Sequence, residues 1–100
     1  MSKIHRLEKM RFSILTDDLS HCFICGSTKH SIHEIYFGKN RVNSMKWGCC
    51  VPLCFNHHTG SDGVHNVPAL DDLLKQMCQL KFKEVYPDVD FLSIFHKNYI

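Results

Sequence analysis

Two short ligand spacings, Cys22-x2-Cys25 in "CFIC" and Cys54-x2-His57 at the start of "CFNHH", constrain this chain more than any other feature. Soft donors arriving in two pairs can close on one tetrahedral ion, so that every ligand comes from the chain itself. Gly26, directly after the second cysteine, suits a tight turn that lets the first two thiolates converge. Closing the intervening loop matters because the chain has 100 residues, and a core of that size is modest without a staple. The spacing therefore predicts a structural zinc site of Cys22, Cys25, Cys54 and His57, with His58 as the alternative fourth ligand in place of His57. A thioredoxin-like redox pair is the competing reading of CxxC, but no βαβ pattern surrounds it. Cys49 and Cys50 are rival ligands in an apolar stretch, where at least one should face the interior, and Cys78 reads as core.

Eight histidines and six cysteines are many for this length. The N-terminal "MSKIHRLEKMRFSIL" has no apolar core of signal-peptide length, and no run approaches a membrane span. The expected compartment is reducing and cytoplasmic, where cysteines bind metal more often than they pair. With 44% hydrophobic and 22% charged residues the chain has the composition of a folded domain,. A net charge of +2 is too small for a strong nonspecific nucleic-acid binder, so a DNA partner would need a local patch. Lys3, Arg6, Lys9 and Arg11, or Lys39, Arg41 and Lys46, could form one; a solvated surface is the plain alternative.

Along the chain, residues 1–10 read as a charged arm that is frayed or a short helix. "RFSIL" (11–15) reads as a short strand, "TDDLS" as a turn, and "HSIHEIYFG" as a strand ending at Gly38. "KNRVNS" (39–44) reads as a polar loop. "MKWGCCVPLC" holds a second strand with Pro52 near its end, and "TGSDGVHN" is a loop broken by Gly60 and Gly63. From Val67 the period lengthens: Asn66 is the expected N-cap and Pro68 suits the first helical turn. Leu70, Leu73, Leu74, Met77 and Cys78 then share one face of a helix that runs to about Val85. A last short helix over 88–95, capped by Asp88, is expected to pack Phe91, Leu92 and Phe95.

The zinc pairs leave His33, His58 and His65 without a role. In order, the segments "CFICG", "HEIYFG", "NRVNSMKWG", "VPLCFNHH" and "GVH" resemble the HNH endonuclease family, in a small phage-encoded branch, over roughly residues 20 to 84. The ending "FLSIFHKNYI" is similar to that branch as well. The resemblance implies an α+β fold: a ββα-metal core on a treble-clef zinc knuckle, as a single domain over 1–100, with an arm at 1–10 and a C-terminal helix and tail at 88–100. It implies a hydrolase for DNA phosphodiester bonds using a divalent cation that stabilises charge on the scissile phosphate.

Carried over by position, His33 becomes the general base, His58 and His65 the ligands of the catalytic cation, and Arg41 the group that holds the phosphate. A second register stays open, in which His33 binds the cation and Glu34 stands in the base position. Neighbours on an ideal strand point to opposite faces, so both serve one site only if the strand is irregular. The family's middle asparagine is not ahead of "LC", where Cys49 falls; Asn43 is near in the loop. Magnesium is the expected catalytic ion, and a histidine-rich site would also take manganese, nickel or zinc. The partner is a DNA substrate and no membrane; a monomer or a homodimer is compatible, and the compartment is the host cytoplasm if the gene is a phage's. The reading from another class is a noncatalytic treble-clef zinc module that binds nucleic acid or protein, which has no use for the surplus histidines. A nuclease that kept its zinc and lost its activity is the third.

Overall fold

Residues 3 to 100 are described by the structure, a computed structural model. The chain is a small α+β fold in the order α1 (Lys3–Lys9), β1 (Ser31–Glu34), a 3-10 turn (Gly38–Asn40), α2 (Arg41–Trp47), β2 (Cys50–Leu53), α3 (Phe55–His58), α4 (Pro68–Val85) and α5 (Phe91–Phe95). The charged arm is thus helical from Lys3, and residues 1 and 2 lie outside the described part. No helix is long and apolar enough among the described residues to cross a membrane.

The two strands form one antiparallel sheet in which Ser31 pairs with Leu53, Ile32 with Pro52, His33 with Val51 and Glu34 with Cys50. All four residues of β2 are buried, and the chain past β1 continues inward through Ile35 and Tyr36. Against this floor pack Leu74, Cys78 and Phe82 of α4 and Phe91 and Phe95 of α5. Tyr36 anchors the contact: its ring lies 4.6 Å from that of Phe95, and its hydroxyl donates to the Lys75 carbonyl at 2.6 Å. Cys49, Cys50 and Cys78 are all fully buried, as small apolar groups. Burial pushes the Cys50 thiol up to about 12, which keeps it protonated.

Several expected elements are corrected by local and tertiary contacts. Residues 11–15 form no strand, because the Ser13 hydroxyl accepts from the N–H groups of Leu15 and Thr16 and bends the chain,. β1 ends at Glu34 rather than Gly38. The expected polar loop 39–44 is largely helical: α2 is held by Ser44, whose hydroxyl bonds both the N–H and the carbonyl of Tyr36. Asn43 donates to the Ile94 carbonyl at 3.2 Å and Asn40 to the Phe95 carbonyl at 3.1 Å, so this helix is fastened by polar side chains that carry no helical period. Gly48 ends it at φ 76°, and a Cβ there would meet the Phe12 ring at 2.5 Å,.

In the long helix α4 the bounds are as expected, but the N-cap position is Val67, not Asn66. Asn66 instead donates to the carbonyls of Thr59 and Gly60. The inward face is also rotated, to Leu74, Cys78, Gln79 and Phe82, leaving Leu73 and Met77 exposed. Gln79 is buried because its amide ties down the C-terminus, donating to Asn98 and accepting from the Tyr99 N–H. In α5 the cap is Asp90, which accepts from the Leu92 N–H, rather than Asp88, and Leu92 faces out.

Candidate metal centres

Cys22 and Cys25 occupy a turn closed by the Gly26 N–H to the Cys22 carbonyl at 2.8 Å and by the Cys22 N–H to the Ser27 carbonyl. Gly26 sits at φ 78°, the left-handed region that such a turn demands,. Cys54 and His57 flank the first turn of α3, directly after β2. The four ligand atoms lie within 4.8 Å of one another, a group that could hold a metal ion. Cys25 Sγ is 3.8 Å from Cys54 Sγ, Cys22 Sγ is 3.8 Å from His57 Nδ1, and Cys54 Sγ is 3.3 Å from the same nitrogen. Tetrahedral bonds of about 2.3 Å to sulfur and 2.0 Å to nitrogen would separate the donors by roughly 3.5–3.8 Å. The donors fit such an ion. Ser27 favours the thiolate: its hydroxyl and backbone N–H lower the Cys25 thiol to about 6. Cys54 is lowered likewise, first by the His57 backbone N–H.

A second group forms around the last residue of α3. His33 from β1, His58 from the end of α3 and His65 from the loop before α4 bring one ligand nitrogen each within 4.8 Å of the others. The Nε2 atoms of His58 and His65 face each other at 3.1 Å, the spacing of adjacent imidazole ligands on one ion with bonds near 2.1 Å. His33 is 3% exposed, and its Nε2 is buried with no hydrogen-bond partner. An orphaned buried nitrogen facing two other imidazoles fits a cation. Burial, then the charges of His58, His65 and Lys75, push His33 down to about 3. Burial and the neighbouring His65 and His30 also lower His58, while Glu34 works the other way. Both shifts favour the neutral ring, the form in which an imidazole binds a metal,.

Local sequence explains the convergence. His58 Nδ1 is bonded by the Ser31 hydroxyl at 2.8 Å, which aims Nε2 at the group. Ser31 carries no motif; its only signal is that it stands two residues before His33 and so shares that face of the strand. The loop from Thr59 to Val67 folds back because Gly60 and Gly63 allow it. A Cβ on Gly63 would lie 2.5 Å from the His58 carbonyl oxygen, and one on Gly60 2.6 Å from Asn56 Cα. The Val64 and His65 N–H groups then bond the carbonyls of His57 and His58. The glycines that break the helix are what return His65 to His58.

Glu34 is not brought into the histidine group. Its carboxylate pairs with Arg11 and lies 3.7 Å from Arg41 Nε, while His33 turns its ring to His58, His65 and Phe37. The strand keeps its regular alternation. Arg41, half-exposed at the start of α2, also reaches Glu8 of α1 at 3.6 Å. Asn43 bonds the backbone of α5 and is not at either centre. Comparison with protein-family models, curated proteins and solved structures finds no match to this chain.

Proposed function

We propose that the chain is a divalent-cation-dependent phosphodiesterase of the HNH type, a ββα-metal endonuclease acting on DNA, with a structural zinc at Cys22, Cys25, Cys54 and His57. The observation that carries this reading is the second histidine group: a zinc-stapled binding module needs four ligands and makes no use of three further imidazoles that converge, one of them with a buried, unpartnered nitrogen. Three thiolates and one imidazole suit zinc. The all-imidazole group suits nickel or another late first-row ion better than magnesium or manganese, whose preference is for oxygen.

The geometry favours His33 as a ligand over His33 as the base. Its Nε2 is buried without a hydrogen-bond partner and its ring faces His58 and His65, an arrangement that suits a ligand of a shared ion,. When bound, the cation stabilises negative charge on the phosphate and the leaving oxygen. Arg41, half-exposed, binds a phosphate oxygen and orients it. Solvent takes up the proton of the attacking water as its oxygen bonds to phosphorus and the bond to the leaving oxygen breaks, and solvent supplies the proton that oxygen takes up. Glu34, next to His33 on a regular strand and paired with Arg11, faces away from the histidine group,.

Nicking of supercoiled plasmid by zinc-loaded protein tests this reading. Added Ni2+ should give nicking that His33→Ala abolishes, with zinc content unchanged in the variant. Absence of nicking by folded wild-type protein with Mn2+, Ni2+, Co2+ and Mg2+, on single- and double-stranded DNA, would reject hydrolysis and leave the noncatalytic zinc module.

A further inference from the structure

Phe37 follows β1 on the surface, yet its ring is held rather than loose. It is 45% exposed, while its centroid lies 5.5 Å from that of His65 and 5.9 Å from that of His33. From α4, Lys75 Nζ sits 4.5 Å from the ring centroid, and the same ammonium is fixed by Asp71 at 2.8 Å. The remaining surface of a large apolar ring thus opens to solvent directly beside the histidine group. Phe55, which opens α3, is a further exposed ring, 60% exposed and edge-on to His30 at 5.4 Å.

Exposed aromatic rings beside a phosphate-handling site are the surfaces on which unpaired bases stack, since every base has a π-face and a paired base has none free. Double-stranded DNA could offer phosphates to the site but no base to Phe37.

We propose that Phe37 is a stacking platform for an unpaired nucleobase next to the scissile phosphate, so that the substrate is single-stranded or locally opened nucleic acid. The platform rests on the reading of the histidine group as a phosphodiesterase centre, and it selects the substrate rather than performing the chemistry. Lys75 fixes the ring's position from behind.

The test is the affinity of the zinc-loaded protein for a short single-stranded phosphorothioate oligonucleotide carrying one 2-aminopurine, against the same sequence as a duplex. Wild type should bind the single strand more tightly and quench the fluorescent base. Phe37→Ala should weaken single-strand binding by about 5- to 100-fold, the range of one lost stacking partner, and leave duplex binding unchanged. Phe37→Trp should restore affinity and quenching, whereas Phe37→Leu, apolar but without a π-face, should not. Equal single-strand affinity of wild type and Phe37→Ala, or full rescue by leucine, overturns the platform whether or not the histidine group cleaves. Intact base quenching together with failure of plasmid and single-strand cleavage instead rejects the hydrolytic reading and keeps the platform.

Discussion

His33 concentrates the physics of the second centre. Its position on β1, opposite Val51, makes it one of three buried polar residues among the described residues. A buried imidazole is tolerable while neutral, and the charged form is the one that burial penalises. The folded value near 3 lies below the usual 6.5, so the sign follows directly: the unfolded chain binds the proton first, and stability present above about pH 6.5 is lost as pH falls toward 3. For protein with zinc in the cysteine site and no ion at the histidines, denaturant unfolding should lose about 1.4 kcal/mol per pH unit from this residue between pH 6.5 and 4. His33→Leu should remove that part of the slope, and the difference between the two proteins cancels acid release of zinc. Equal slopes would mean that His33 is not buried as a neutral ring. Saturating Ni2+ at pH 7 should stabilise wild type but not His33→Leu, by mass action on the folded state.

At the level of elements, the loop between α3 and α4 decides whether there is a second centre at all. His58 and His65 come together because the backbone at Gly63 passes the His58 carbonyl too closely for a side chain. Gly63→Ala should therefore push the loop outward and separate the two Nε2 atoms, now 3.1 Å apart. The expected result is at least a tenfold weaker Ni2+ affinity in calorimetry, on the order of what misorienting a ligand costs, with zinc content and the far-ultraviolet helix signal unchanged. Loss of zinc as well would show that the loop also supports the first centre. The glycines were legible in the sequence only as helix breakers; their use as a close crossing depends on the carbonyl they cross. The helix α2 was missed for a related reason. Its bonds to Tyr36 and to the backbone of α5 are made by Ser44, Asn43 and Asn40, residue types that favour loops unless a distant acceptor is already in place,.

Across the whole molecule, the cysteine site and the aromatic core act at different places. Cys22 and Cys25 precede β1, and Cys54 and His57 follow β2, so an ion bound by all four clamps the sheet at one end. Phe82, Phe91, Phe95 and Tyr36 hold the opposite layer through ring contacts of 4.6–6.1 Å. Removing the ion frees the clamp while the core remains, and a chain of this size has little stability to spare. Stripping zinc with a strong chelator should lower Tm by about 15 °C or more, since each kcal/mol lost is worth roughly 4–8 °C in a domain of this length. Readdition of zinc should restore it. An unchanged melting curve with zinc verified absent would show that the aromatic layer alone carries the fold.

The make-up of the Cys/His group that could hold a metal was legible in the sequence alone, because Cys-x2-Cys and Cys-x2-His are local spacings whose turns form wherever the chain goes. The bounds of α4 belong with them: Pro68 and Pro87 set them by what a proline ring forbids. Which side of each element faces inward was decided only by tertiary structure. Leu73 and Met77 read as core by period, yet Phe82 and Gln79 hold that place, since α4 turns toward whatever α5 and the C-terminus offer. The pairing of Glu34 with Arg11 and Arg41, and the meeting of His33, His58 and His65, depend on side chains from separate elements arriving at one point. No single segment contains that information, because it resides in the distances that folding sets between them.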